Sequence, residues 1–152
     1  MIVDCAVYTH GRRRPGDLAV MDALDAAGEA DSFVWIGLHE PSEEEFDAVR
    51  DELGLHPLAV EDAVRAHQRP KLEVYDDHVF AVLRPAIYHD QDERLEVSEI
   101  QLFIGRNYVV AVRHGQGHSL REVRLKLEQD PERMACGPMA VLHAVVDRVV
   151  DD

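Results

Sequence analysis

Residues 55–75 read LHPLAVEDAVRAHQRPKLEVY, and the rest of the predicted fold is organised around this stretch. Pro57 has a fixed φ and no amide hydrogen, which suits the first position of a helix. Pro70 pushes the residue before it out of the helical region. The two prolines therefore predict one short helix that begins at Pro57 and stops before Pro70, with Arg69 already outside the helical region.

The predicted helix has two chemically different sides. At 100° per residue its apolar side chains fall together on the side that we expect to be buried, and these are Ala59, Val60, Ala63 and Val64. Glu61, Asp62 and Arg65 fall on the opposite side. Two neighbouring carboxylates are therefore predicted to face away from the core.

Two interpretations of these carboxylates remain open. In the first, the face is a solvated helix surface on which Arg65 pairs with Glu61 and Asp62, each pair contributing a few tenths of a kcal/mol. In the second, Glu61 and Asp62 bind a hard cation. Mg²⁺ and Ca²⁺ require about six oxygen ligands, so such a site also needs waters and carboxylates from another segment or subunit.

The chain is strongly acidic, with 30 Asp and Glu side chains against 16 Lys and Arg and a formal net charge of −14. Such a surface repels a phosphate backbone, so nucleic acid is not expected as a partner. Multivalent cations are a natural partner for it. A length of 152 residues is sufficient for one sizeable core, so residues 1–152 are predicted to form a single domain.

Other sequence patterns narrow the classes of function. The chain has no run of 18 apolar residues and no signal-peptide pattern, so we expect it neither to span a membrane nor to be secreted. Cys5 and Cys136 lack a partner at metal-ligand spacing and are expected to be buried free thiols. Because no HExxH, Gly-x-Ser-x-Gly or phosphate-binding glycine motif occurs, the chain is predicted not to be an enzyme.

The first third of the chain shows a strand–helix–strand pattern. Ile2–Tyr8 and Ser32–His39 are predicted strands, and Leu18–Ala27 between them is a predicted helix with Asp17 as its N-cap. This order predicts a parallel crossover. A further helix follows, for which Ser42 and Glu45 provide a capping box.

From Lys71 to His114 the pattern changes to β. It predicts a meander of four strands, at about 71–75, 78–88, 95–104 and 108–113. These strands are apolar on both faces, so both faces of the sheet must be covered, and the helices before and after the meander provide the cover. The predicted fold class is therefore α/β (α+β), an α/β/α sandwich with a mixed, largely antiparallel sheet between two helical layers.

Residues 55–75 also resemble part of a known family. The run from Leu55 to Asp62, followed by His67-Gln68-Arg69-Pro70-Lys71-Leu72-Glu73-Val74-Tyr75, is similar to the N-terminal cytoplasmic domain of CorA-family divalent-cation transporters. The likeness extends forward to residues 34–38 with Pro41, and onward to residues 145–152, so it covers nearly the whole chain.

The resemblance implies a specific architecture. Members of the family are homopentamers in which five such cytoplasmic domains form a funnel below a membrane pore. A long stalk helix then leads to two membrane helices, the first of which ends in Gly-Met-Asn. The chain contains neither the long stalk helix nor the Gly-Met-Asn motif, so we expect it to be a fragment. By itself it is expected to be a monomer or weak oligomer. It would be the cytoplasmic domain of an inner (plasma) membrane protein. It would reach the membrane only through the missing C-terminal part.

The resemblance also implies a function. In the family, divalent cations bind between adjacent cytoplasmic domains, which makes Asp62 the first and Glu61 the second candidate metal ligand. The implied ion is Mg²⁺, with Co²⁺, Ni²⁺ and Zn²⁺ as further candidates, and the implied role is cation sensing and gating. Two alternatives remain: the cytoplasmic domain of a ZntB-like zinc transporter, and a stand-alone acidic binding domain of the same fold.

Overall fold

The computed structural model describes residues 2–15, 20–55, 60–61, 63, 65, 69–115 and 120–151. The strands of this part are β1 (Ile2–Thr9), β2 (Arg12–Arg13), β3 (Ser32–His39), β4 (Lys71–Val74), β5 (Val79–Leu83), β6 (Ala86–His89), β7 (Arg94–Val97), β8 (Glu99–Ile104) and β9 (Tyr108–His114). The helices with defined bounds are α1 (Val20–Ala27), α2 (Glu43–Leu53), α3 (Arg121–Glu128), α4 (Pro131–Met134) and α5 (Pro138–Asp151). None of the described helices is both long and apolar enough to cross a membrane.

One mixed sheet forms the middle layer of the molecule, with the strand order β2-β1-β3-β9-β8-β5-β4. Its central pair, β3 and β9, is parallel, with Val34 opposite Tyr108 and Leu38 opposite Val112. The other neighbouring pairs of this sheet are antiparallel. The predicted mixed, largely antiparallel sheet is confirmed.

Two apolar cores lie on opposite faces of this sheet, because successive strand residues point to opposite sides. In β3, Val34, Ile36 and Leu38 belong to the first core, beneath α1 and α2, while Phe33 and Trp35 belong to the second. The second core is covered by buried side chains of the last three helices, namely Val123, Leu127, Met134, Val141 and Val145. The structure therefore confirms the α/β/α sandwich.

The predicted parallel crossover between the first two long strands is wrong. β1 and β3 are antiparallel, with Ala6 opposite Trp35. The reason is the two-residue strand β2, which turns back along β1 through His10 and Gly11, both of which have positive φ. This extra reversal lies between the predicted strand Ile2–Tyr8 and the predicted helix Leu18–Ala27, and it reverses the direction of the chain before α1.

Two predicted strands of the meander are interrupted. The predicted strand 78–88 breaks at Arg84 and Pro85, and the predicted strand 95–104 breaks at Ser98. Proline cannot donate a hydrogen bond to a strand neighbour. The Pro85 carbonyl instead accepts from Ser98 N at 3.0 Å, and β6 and β7 beyond this point pair only with each other as a separate two-stranded sheet.

Local signals in the sequence set the start and the end of α2. Ser42 Oγ accepts a hydrogen bond from Glu45 N, and Glu45 Oε1 accepts one from Ser42 N, which is the predicted capping box. Gly54 ends the helix in the left-handed region, with φ of 64°. The predicted cap of the preceding helix, Asp17, lies outside the described residues.

Candidate cation site

The 60–65 segment, defined as residues 60, 61, 63 and 65, carries the described part of the predicted acidic helix. Residues 60, 61 and 63 are helical, but Arg65 lies in a bend, so the helix is interrupted earlier than the predicted stop before Pro70. Val60 and Ala63 are buried in the first core, with 6% and 0% exposure. The described residues therefore confirm the buried side of this helix.

Glu61 lies on the exposed side of the segment. Its carboxylate Oε1 is 3.4 Å from Arg65 Nη2, and both side chains are more than half exposed. The predicted Glu61–Arg65 ion pair is thus present, although an exposed pair of this kind contributes little stability. Asp62, the first candidate ligand, lies outside the described residues, as does the predicted helix start at Pro57.

Two buried side chains of the sheet hold the backbone of this segment. His114, at the end of β9, donates from Nε2 to the carbonyl oxygen of Ala63 at 3.0 Å. Gln101, in the middle of β8, donates from Nε2 to the carbonyl oxygen of Arg65 at 3.3 Å. These carbonyls follow Glu61 closely, and carbonyls at the end of a helix need partners outside it. The sheet therefore fixes the position from which Glu61 projects.

His114 is itself oriented by Glu40, the residue after β3. His114 Nδ1 lies 3.3 Å from Glu40 Oε2, while Gly115 N donates to Glu40 Oε1 at 2.7 Å. The amide of Gly115 first, and His114 next, hold the pKa of Glu40 below its usual value. Because the carboxylate and the Ala63 carbonyl are both acceptors, His114 satisfies both when it carries a proton on each ring nitrogen.

Glu40 has an unusual backbone. Its φ is +46°, in the left-handed region that non-glycine residues seldom adopt, and its amide donates to the Arg113 carbonyl at 3.0 Å. Such a conformation persists where neighbouring contacts determine it. The hydrogen bonds of Glu40 to Gly115 and His114 supply those contacts, so the end of β3 and the end of β9 are joined at this point.

A buried carboxylate lies beside the same anchors. Glu99 is 3% exposed, stands opposite His114 in the β8–β9 register, and accepts from Gln101 Nε2 at 2.5 Å. A buried acid is stabilised by such donors. The face of the sheet beneath the 60–65 segment is therefore a connected polar cluster within an otherwise apolar core.

This arrangement provides one exposed carboxylate, that of Glu61, on a backbone that hydrogen bonds from the sheet hold in place. In the described part of the chain no three His, Cys, Asp or Glu side chains are grouped closely enough to hold a metal ion. Since a hard cation requires about six oxygen ligands, Glu61 by itself is an incomplete donor set. Further ligands would have to come from residues beyond the described part, from another copy, or from water.

The anchoring residues were not identified from the sequence as part of a site. His114 belongs to none of the sequence motifs described above. The sequence of residues 99–104, EIQLFI, contains a signal for buried polar contacts. Glu99 and Gln101 occupy alternate positions of a strand that is apolar elsewhere. Polar residues at core positions need buried partners, and these two residues lie under the 60–65 segment.

The chain resembles known proteins in sequence. The family model described as "CorA-like Mg2+ transporter protein" matches residues 30–152. The putative metal ion transporter YfjQ of Bacillus subtilis is 31% identical over 121 residues, which are 80% of this chain and 37% of that protein. The cobalt/magnesium transport protein CorA of Thermotoga maritima is 30% identical over 100 residues, which are 65% of this chain and 28% of that protein. The chain thus corresponds to little more than a third of these relatives at most.

Solved structures share the fold. The full-length CmaX protein superposes with a TM-score of 0.77 at 17% identity, over 99% of this chain and 45% of that one. The soluble domain of CorA from Methanocaldococcus jannaschii gives 0.66 at 13% identity, over 98% and 57%. The ZntB cytoplasmic domain from Vibrio parahaemolyticus gives 0.55 at 12% identity, over 78% and 51%. These low identities establish the fold alone, whereas the family match covers most of the sequence, and the chain belongs to the family of CorA-like Mg²⁺ transporter proteins.

Proposed function

We propose that residues 1–152 form the N-terminal, cation-sensing and gating domain of a CorA-like divalent-cation transporter, on the cytoplasmic side of the inner membrane. Family membership supports the transporter assignment. The observation that carries the sensing role is the 60–65 segment, in which an exposed acidic position is held by hydrogen bonds from His114 and Gln101 to its backbone. A ligand held in this way keeps its position when a cation binds or leaves.

The electrostatics of a shared site support this role. Two carboxylates about 4 Å apart repel by roughly 4 kcal/mol at an effective dielectric of 20, and a dication between them reverses the sign. If Asp62 and Glu61 of one subunit face carboxylates of the next, cation binding favours the closely packed assembly. A cation shifts a conformational equilibrium only through its different affinity for the two states, and an intersubunit site has that property.

Assembly is the second part of the proposal. The full-length protein is proposed to be a homopentamer, following the family resemblance, with Mg²⁺ as the sensed and transported ion. Leu72 and Val74 support a contact with a neighbouring copy, because these apolar side chains on the edge strand β4 are 64% and 75% exposed. Exposed apolar side chains on an edge strand are typical of surfaces that pack against further protein.

The test requires the full-length protein, because the described part of this chain supplies only part of the ligand set. Limited proteolysis across a Mg²⁺ titration is expected to show protection of wild type, and a several-fold higher midpoint for Asp62→Ala than for Glu61→Ala. The matched control is Glu52→Ala, which removes an exposed glutamate of α2 and should leave the midpoint unchanged. Equal protection of wild type and both segment variants at every Mg²⁺ concentration would refute cation sensing by Asp62 and Glu61.

Ion identity needs a separate measurement. Uptake of Mg²⁺, Co²⁺, Ni²⁺ and Zn²⁺ by vesicles containing the full-length protein distinguishes a CorA-like from a ZntB-like transporter. We expect Mg²⁺ uptake, and uptake of Zn²⁺ alone would favour the ZntB-like alternative. A full-length protein that transports none of these ions would favour the stand-alone binding domain.

A further inference from the structure

The two-stranded sheet of β6 and β7 has an apolar face that is open to solvent. In its register Tyr88 lies opposite Leu95, and Ala86 lies opposite Val97. Side chains alternate along a strand, and directly opposed residues share a face, so these four side chains lie together on one face of the sheet. Tyr88 is 58% exposed, Leu95 is 61% exposed and Val97 is 43% exposed.

This small sheet lacks the support that the main sheet has. β6 and β7 pair with each other and do not join the seven-stranded sheet. An isolated pair of strands is only marginally stable in water, and a third strand or a packed apolar face stabilises it. In the described part of the chain, each of the two strands has one edge without a strand neighbour. An extended segment can therefore add a third strand at such an edge.

The turn between the two strands is acidic. It carries three exposed carboxylates, and these are Asp90, Asp92 and Glu93. Among the described residues, the ion pairs of this sheet involve a fourth acid, Glu96, which contacts His89 at 2.8 Å and Arg94 at 4.0 Å. Residues 86–97 contain these four acidic side chains and one basic side chain, so their net charge is −3 with histidine neutral.

This charge determines which occupant suits the apolar face. An anionic lipid surface is repelled by the acidic turn. A second copy of the chain brings the same turn and a net charge of −14, so charge opposes self-association at this face. A polypeptide segment that carries Lys or Arg beside apolar side chains is complementary to both the apolar face and the acidic turn.

We propose that the β6–β7 sheet binds an extended segment of a partner protein in which apolar and basic side chains alternate. The segment adds a strand through backbone hydrogen bonds. Its apolar side chains pack beside Tyr88 and Leu95, and its basic side chains, at the alternate positions, lie on the side of Glu96 and near the acidic turn. This interaction does not depend on cation binding at the 60–65 segment.

An NMR titration of the 152-residue chain with an eight-residue peptide of alternating Val and Lys tests this surface. We expect amide shifts concentrated in residues 86–97 and a dissociation constant on the order of 0.1 mM. Leu95→Ser should weaken binding about fivefold or more, because it removes an exposed apolar side chain of the face. The matched control is Met139→Ser on α5, which removes a side chain that is 57% exposed and should leave the affinity unchanged.

A second variant tests the charge without altering the apolar face. Asp90→Asn combined with Asp92→Asn should weaken binding about threefold or more, and asparagine suits a turn as well as aspartate does. A peptide with four Val followed by four Lys has the same composition without the alternation. It should bind several-fold more weakly than the alternating peptide, because its apolar side chains cannot all lie on one face of a strand.

Three results would each overturn the proposal. The first is the absence of saturable shifts in residues 86–97 at peptide concentrations on the order of 1 mM. The second is an affinity that neither Leu95→Ser, nor the paired asparagine variant, nor the change of peptide pattern reduces, since net charge alone would then explain it. The third is a concentration-dependent shift of residues 86–97 in the chain alone that Leu95→Ser abolishes, because a second copy would then occupy the face.

Discussion

His114 donates a hydrogen bond from Nε2 to the carbonyl oxygen of Ala63 at 3.0 Å, and this contact joins the end of a central strand to the acidic segment proposed to sense cations. The two residues are 51 positions apart in the sequence. Both are buried, at 7% and 0% exposure. Because both residues are buried, water cannot take the place of a lost partner, and the remaining group would be left without a hydrogen bond.

Replacing His114 by alanine is expected to destabilise the chain by about 2 kcal/mol, because it leaves the Ala63 carbonyl without its donor and removes the side-chain partner of Glu40. Urea unfolding measures the loss. Amide hydrogen exchange should increase, relative to wild type, more in the 60–65 segment than in β8. Such a difference would show that the segment has lost its anchor.

The control for this experiment is His143→Ala on α5. The His143 side chain is 71% exposed and pairs with Asp147 at 3.4 Å on the same helix. Its removal should change the free energy of unfolding by less than about 0.5 kcal/mol. If His114→Ala is no more destabilising than His143→Ala, the contact with Ala63 has no anchoring role.

Glu40 predicts a pH dependence of stability. Its pKa is lower in the folded chain than its ordinary value of 4.5, so its contribution is present above pH 4.5 and is lost as the pH falls through the folded pKa. Glu40→Gln should therefore cost roughly 0.5–1 kcal/mol at pH 7, a low value because the Glu40 side chain is 54% exposed. The difference from wild type should shrink steadily below about pH 4.

Urea unfolding between pH 3 and pH 7, about the range in which a carboxylate titrates, measures this difference. Glu52→Gln removes a carboxylate from the exposed surface of α2 and is expected to change stability by less than about 0.5 kcal/mol throughout. A Glu40→Gln difference that stays constant across the range would contradict the role assigned to the Glu40 carboxylate.

The sandwich and its cores were predictable because their signals are local. For α2, the capping box of Ser42 and Glu45 sets the start of the helix and Gly54 sets its end, so all of its signals lie within residues 42–54. Apolar residues on both faces of the later strands required two helical layers, and both layers are present. The direction of β3 was not predictable in the same way, since it depends on a hairpin strand only two residues long.

The candidate site was predictable only in part, for a similar reason. Glu61 and Arg65 are four positions apart in the sequence, so their pairing follows from spacing. The contacts of His114 with Ala63 and of Gln101 with Arg65 join residues 51 and 36 positions apart. Their existence depends on the pairing of strands, which periodicity does not determine.

The two cysteines should differ in reactivity, in contrast to the expectation that both are buried. Cys136 is exposed, whereas Cys5 is half-buried and burial raises the pKa of its thiol. The thiolate is the reactive form, so a disulfide reagent at pH 7–8, about one unit below an ordinary thiol pKa, should label Cys136 first. Mass spectrometry of partially labelled chain measures the order. Labelling of Cys5 before Cys136 would contradict the structure at β1.

A single methyl group added at Gly11 is expected to cause a large loss of stability. Its φ is +80°, and a Cβ at this position would lie 2.0 Å from the carbonyl oxygen of Pro131, at the start of α4. Gly11→Ala should therefore cost at least about 3 kcal/mol, because both the backbone conformation and the contact with α4 oppose the side chain.

Gly28→Ala is the matched control, since Gly28 has no positive φ and its added Cβ would approach nothing closer than the Asp25 carbonyl oxygen at 3.4 Å. It should change the free energy of unfolding by less than about 1 kcal/mol. Urea unfolding of both variants compares them directly. Because Gly11 lies between β1 and β2, a large loss at Gly11 alone shows that the hairpin that reverses the chain is held against α4. Equal stability of the two variants would mean that the hairpin and α4 are not in contact in solution.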